Sequence, residues 1–309
     1  MPNSEILCVG EVLWDALPAG LFLGGSPFNV ACHLRAAGCP VAMVSRVGAD
    51  LLGEEALRRL TRYGVGTDLV QVDPSLPTGF VRVTIDGAGN PEYEIVEPAA
   101  WDAVAPSDAL LRRAADARAI VFGSLAQRSA TTRGTIERLL LETPALKVFD
   151  VNLRPPYDDR DVVRRSLARA DVVKMNEGEM RRLAAWFELP SEPRPMAAAL
   201  AEQFDCRTVC ITRGPEGAAL WREGRWLEHP GFEVDVRDTV GAGDAFLAVL
   251  LAGLLTGMED QALLRHANLI GAYVVTQFGA VPADQPAVGA ELPARRVPPR
   301  TQPRATDRP

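Results

Sequence analysis

The chain has 309 residues, a formal net charge of −7, and 47% apolar against 24% charged residues, the composition of a globular protein with one large core. With no basic stripe outside its C-terminal end it excludes a nucleic-acid binder, and its longest apolar run, Ala245 to Leu255, is too short to span a membrane. Cys8, Cys32, Cys39, Cys206 and Cys210 lack metal-type spacing and fall mostly in apolar runs, so they read as reduced thiols, and His33, His229 and His266 are too scattered for a metal site. The beginning "MPNSEILCVGEVLWD" has no charged segment followed by an apolar one, which predicts a cytoplasmic chain.

In chain order, "EILCVG" predicts a strand, leading to a helix from about Pro27 to Ala37, and "VAMVSRVG" a second, leading to a helix from about Leu51 to Tyr63. Residues 79–102, "GFVRVTIDGAGNPEYEIVEPAAWD", break the alternation: two runs of alternating polarity flank the turn signal "DGAGN", which reads as a half-exposed hairpin. Such a hairpin has nothing beside it in sequence on which to bury its apolar face, so it is expected to serve as a lid over the sheet, a clasp between two copies of a homodimer, or both. "AIVFGS" (119–124), "LKVFDVN" (146–152), "DVVKMN" (171–176) and "TVCITRG" (208–214) predict further strands, each followed by a helix-like stretch or a turn. Continuous apolar strands separated by helices imply an α/β fold, a doubly wound and mostly parallel sheet with helices on both faces. This domain is expected to cover residues 1–290. From about Glu291 to Pro309 the Pro- and Arg-rich "ELPARRVPPRTQPRATDRP" reads as a loose tail outside the fold.

In open α/β sheets ligands bind beyond the C-terminal ends of the strands. Asp15, "DVNLR", "NEGE" and "TRGPEG" all fall there. The most informative stretch is "RDTVGAGDAF" (237–246), directly before an apolar run that reads as a buried helix. A helix N-terminus attracts anions, and small residues let one approach the backbone. Asp244 would repel that anion, so it makes sense as a base that takes a proton from a hydroxyl while neighbouring N–H groups stabilise a transferring phosphoryl group. Its pKa is expected to be an ordinary one near 4. Neither of the two lysines, Lys147 and Lys174, follows a glycine-rich loop, so ATP would be handled without a P-loop lysine.

"DTVGAGDAF" resembles the C-terminal signature of the ribokinase-like (PfkB) carbohydrate kinases, and "GGSPFNVACHLRAAG" with "VSRVGADLLGEEALRRL" resembles their N-terminal signature. The likeness runs from about Ile6 to Pro282, and "GEVLWD" and "DVNLRP" resemble the fructokinase-like branch more than the ribokinase or adenosine kinase branches, although DxNxR is shared with keto-deoxygluconate kinases. The resemblance implies Asp244 as catalytic base and Gly241, Ala242 and Gly243 as anion hole, with Arg154 and Asp150 near the phosphoryl-transfer centre. It implies Asp15, Gly24, Gly25 and Asn29 as holders of sugar hydroxyls. ATP would meet Asn176, Glu179, Thr212, Gly214, Gly217 and Asn268, with Glu179 organising Mg²⁺ through water. Many members bind K⁺ through backbone carbonyls, and Asp238, Val240, Val274, Gln277 and Gly279 occupy the corresponding places.

The sugar is argued from charge. "GEVLWDALPAGLFLGGSPFN" holds no Lys or Arg, which disfavours a phosphosugar, and Glu92, Glu94 and Glu97 in the lid disfavour a sugar acid. Fructose is the expected acceptor, with another neutral sugar, a sugar acid such as 2-keto-3-deoxygluconate, ribose or a nucleoside as alternatives. A non-catalytic sugar- or nucleotide-binding regulator is the reading from another class, although such a protein has no physical need of base, anion hole and NxxE together.

Overall fold

Apolar strands buried on both faces form the centre of the computed structural model, which describes residues 5–17, 20–85 and 91–282. Strands β1 (Ile6–Val9) and β2 (Leu13–Leu17) are followed by β3 (Gly20–Gly24), helix α1 (Ser26–Ala36), β4 (Val41–Gly48), α2 (Leu51–Arg62) and β5 (Val70–Asp73). Next come β6 (Gly79–Ile85), β7 (Pro91–Ile95), α3 (Asp108–Asp116), β8 (Ala119–Gly123), α4 (Ala130–Glu142), β9 (Leu146–Asp150) and α5 (Arg160–Leu167). The last third holds β10 (Val172–Asn176), α6 (Glu177–Phe187), α7 (Pro193–Phe204), β11 (Thr208–Thr212), β12 (Ala218–Arg222), β13 (Arg225–His229), α8 (Ala242–Thr256) and α9 (Asp260–Val275).

The large sheet has nine strands in the order β13-β12-β11-β10-β9-β8-β1-β4-β5, with the β11–β12 and β12–β13 pairings antiparallel and the rest parallel. One buried cluster joins it to α3–α7 through residues such as Leu110, Ile136, Val163, Leu183 and Leu200. A second, on Phe28, Leu60, Leu247 and Leu264, joins it to α1, α2, α8 and α9. This is the doubly wound α/β architecture expected from the alternating elements. Strand order reverses at β1, which lies between β4 and β8, so the binding crevice should open above the end of β1.

The lid is larger than the sequence suggested. The hairpin β6–β7 does not stand alone: β6 pairs with β2 in a four-stranded sheet of order β3-β2-β6-β7. In the segment that forms the hairpin β2–β3, a charged residue at mid-strand and flanking glycines obscure the alternation in the sequence. Of the hairpin's alternating apolar residues, Phe80 and Ile95 pack against the two cores of their own chain, while the side chains of Val83 and Tyr93 lie outside the described residues, as do the turn 86–90 and the tail 291–309. Among the described lid residues, Leu21 and Phe22 on β3 are the exposed large apolars, at 47% and 38%. Among the described residues no helix is long and apolar enough to cross a membrane.

Candidate active site

A cavity of about 1020 Å³ opens between the lid and the C-terminal ends of the large sheet's strands, roomy for a nucleotide and a small acceptor together. Asp244 lines it from the first turn of α8. That helix is apolar on all sides and buried from Ala245 to Gly253, so packing fixes its start. Its N-cap, Gly241, has φ +79°, and a Cβ there would stand 2.6 Å from Ala280 Cα, which explains a glycine at this bend. Gly241, Ala242 and Gly243 all line the cavity, and the Ala242 N–H reaches back only weakly, to Thr239 O at 3.4 Å.

Ser26 Oγ donates to Asp244 Oδ1 at 2.7 Å and Asn29 Nδ2 to Oδ2 at 2.8 Å. Four lone-pair directions less two leave this carboxylate room to accept from a substrate hydroxyl. Its pKa is not the ordinary one expected from sequence. Burial, then the charge of Asp150, push it up to about 6, while Lys174 and the bonds from Asn29 and Ser26 oppose them. A sequence cannot show burial at one helix turn, hence the correction.

Lys174 is the residue the sequence reading passed over. It projects from β10 into the cavity, its Nζ 3.0 Å from Asp150 Oδ1 on the adjacent strand and 3.0 Å from where a Gly243 Cβ would stand. Burial alone would lower its pKa, but Asp150, Glu179 and Asp244 together hold it above the usual lysine value, so it stays charged. A lone lysine in an otherwise apolar strand was the available signal. The ammonium therefore comes from a strand, not from a phosphate-binding loop.

The remaining expected residues divide into two groups. Asp15, Gly25, Asn29, Arg154, Asn176, Thr212, Gly214, Gly217, Asp238, Val240 and Asn268 line the cavity. Asp150, Glu179, Gly24, Val274, Gln277 and Gly279 are not among its lining residues. Gly24 is held against Asp15, whose Oδ2 lies 2.6 Å from where a Cβ would be. Asn176 and Glu179 form a capping box on α6: the Glu179 N–H donates to Asn176 Oδ1 at 2.9 Å and the Asn176 N–H to Glu179 Oε2 at 2.8 Å. The other Glu179 oxygen accepts the Leu153 N–H at 3.0 Å, pinning the loop that carries Arg154. Asp238 ties two segments, accepting from Val240 N–H and Gly279 N–H at 3.0 Å each. Asn268 donates to Leu264 O at 2.7 Å within its own helix.

A model of the pfkB family of carbohydrate kinases matches residues 11–287. The chain belongs to this family. The kinase is 31% identical over 285 residues to the fructokinase of Rhizobium leguminosarum bv. trifolii, covering 84% of this chain and 85% of that one. It is 28% identical over 280 residues to the 2-dehydro-3-deoxygalactonokinase of Haloferax volcanii, covering 87% of each. The crystal structure of the Vibrio cholerae fructokinase in its fructose, ADP and calcium ion bound form superposes with a TM-score of 0.78 at 25% identity, covering 91% of this chain and 96% of that one.

Two charge arguments made from sequence change on the kinase's structure. Glu94 is exposed and paired with Arg82, Glu97 is exposed, neither lines the cavity, and the Glu92 side chain lies outside the described residues. Cations do reach the cavity, Arg154 and Lys174, from elements distant in sequence from the "GEVLWD" stretch. Glu11 was also missed: buried at the end of β1, it lines the same cavity. Nothing in its sequence position separates it from an ordinary strand-end residue.

Proposed function

We propose that this kinase transfers the γ-phosphate of ATP to a hydroxyl of a neutral monosaccharide, fructose before others, with Asp244 as the base. The observation that carries the reading is the placement of the Asp244 carboxylate at the N-terminus of α8, beside the Lys174 ammonium, in one cavity with Glu11 and Asp15. The sugar hydroxyl gives its proton to Asp244 as its oxygen bonds to the γ-phosphorus, and the bond from that phosphorus to the bridging oxygen breaks to release ADP. Backbone N–H groups of the Gly241–Gly243 turn and the Lys174 ammonium stabilise the charge on the transferring group, with Arg154 at the rim.

The donor set suits Mg²⁺ that arrives on the nucleotide. Among the described residues no three acidic, His or Cys side chains form a cage, and Glu179, whose two oxygens each accept one backbone N–H, would act on such an ion through water. The ion would supply charge neutralisation on the phosphates. K⁺ would sit where Asp238 gathers the Val240 and Gly279 segments, next to the end of α9 with Val274 and Gln277.

Two carboxyl groups at the acceptor end favour a neutral sugar over an anion. Exposed Arg154 and the likeness to a 2-dehydro-3-deoxygalactonokinase support a sugar acid as the second reading. ADP release measured with Mg²⁺, with and without K⁺, over fructose, ribose, glucose, 2-keto-3-deoxygluconate, adenosine and fructose 6-phosphate separates them. Highest kcat/KM on fructose is expected; turnover confined to the sugar acid or the phosphosugar refutes the neutral-sugar reading and leaves Asp244 chemistry in place.

A further inference from the structure

Glu11 leaves β1 at the point where strand order reverses, in the crevice where open α/β sheets hold ligands. It is 3% exposed and lines the cavity with Asp15, Asn29 and Arg154. Its Oε1 accepts the Ser26 N–H at 3.3 Å, at the first turn of α1, but its Oε2 has no hydrogen-bond partner. Asn29 lines the same cavity, and its Oδ1 has none either. A buried carboxyl oxygen without a partner is costly to keep. Holding Ser26 needs one oxygen only, so the second is unexplained by the fold.

We propose that Glu11 is a specificity-determining residue whose second carboxyl oxygen, together with Asn29 Oδ1, binds hydroxyls of the acceptor sugar. The proposal rests on the neutral-sugar reading above and deepens it: Glu11 from the end of β1 and Asp15 from the lid would hold the acceptor between them while its reacting hydroxyl meets Asp244. Sugar hydroxyls both donate and accept, and a carboxyl complements either role. Burial pushes Glu11 up to about 7 and Asp15 up to about 6, with Arg154 opposing in each case, so each can meet a neutral hydroxyl as acid or as carboxylate.

Glu11→Gln keeps an acceptor for the Ser26 N–H and replaces the second oxygen with an amide; Glu11→Asp keeps the carboxyl but withdraws it by one methylene. Both are assayed with the neutral sugar best accepted by the wild type and with its deoxy analogues, each lacking one hydroxyl. The wild type is expected to reject one analogue strongly. Each variant should raise KM for the parent sugar about tenfold or more, leave KM for that analogue and for ATP nearly unchanged, and so lose the discrimination. An unchanged sugar KM with discrimination intact overturns the proposal alone, leaving Glu11 as a support for Ser26. Equal losses for ATP, parent sugar and every analogue overturn it as well, because they report a disturbed α1. A wild type that phosphorylates no neutral sugar overturns this proposal together with the neutral-sugar reading.

Discussion

Asn29 on α1 donates to Asp244 on α8 at 2.8 Å, joining side chains that stand 215 positions apart in the chain. The bond favours the charged carboxylate against the burial and the Asp150 charge that raise its pKa to about 6. A base works when ionised, so kcat/KM should be level at neutral pH and fall about tenfold per unit below pH 6. Asn29→Ala removes a group that favours the ion and should move this acid limb to higher pH. Matching pH–rate profiles check it; an unmoved limb contradicts the role assigned to the contact.

Lys174 and Asp150 form a buried ion pair, with side chains 8% and 3% exposed. Lys174→Met leaves Asp150 uncompensated and should cost about 3–5 kcal/mol in denaturant unfolding. Adding Asp150→Asn should restore much of that stability, while turnover stays low because the ammonium is gone from beside Gly243. Full recovery of turnover in the double variant would show that Lys174 serves the fold alone.

Gly24 offers a cleaner split between sugar and nucleotide. A methyl group there would displace the Asp15 carboxylate, and nothing at the nucleotide end touches Gly24. Gly24→Ala should therefore raise the sugar KM about tenfold, the cost of one disturbed charged hydrogen bond, with the ATP KM unchanged. Equal changes in both KM values would place Asp15 outside the acceptor site.

The lid presents Leu21 and Phe22 to solvent on its edge strand, which supports a homodimer formed through the lid. Light scattering should report a dimer for the wild type and a smaller species for the Leu21→Ser, Phe22→Ser double variant. A monomeric wild type removes the clasp from the account.

The strands of the large sheet that are buried on both faces were legible because each is a continuous apolar run; "VAMVSRVG" corresponds residue for residue to β4 (Val41–Gly48). The hairpin β12–β13 was not, since its sign is a two-residue turn at Glu223 and Gly224, both with positive φ, between short strands at the sheet edge. In the site, "GAGD" announced itself by placing a carboxylate at a helix start. Lys174 and Glu11 did not, because their meaning lies in what other strands bring beside them: Asp150 and Gly243 for one, the first turn of α1 for the other. Charge arguments from one stretch failed for the same reason, since Arg154 enters the cavity from a loop more than a hundred residues away in sequence.

The most direct test is Asp244→Asn, assayed for turnover and for binding of ATP and sugar by calorimetry. Losing the base should lower kcat by about 10²–10⁴-fold while both ligands still bind. Folding raises this carboxyl from 3.8 to about 6, so between those pH values the unfolded chain ionises first and the group's stabilising contribution is lost as pH rises. The amide carries no such penalty, and the unfolding temperature at pH 7 should not fall. An Asp244→Asn enzyme that binds both ligands and turns over at the wild-type rate would contradict the assignment of the base.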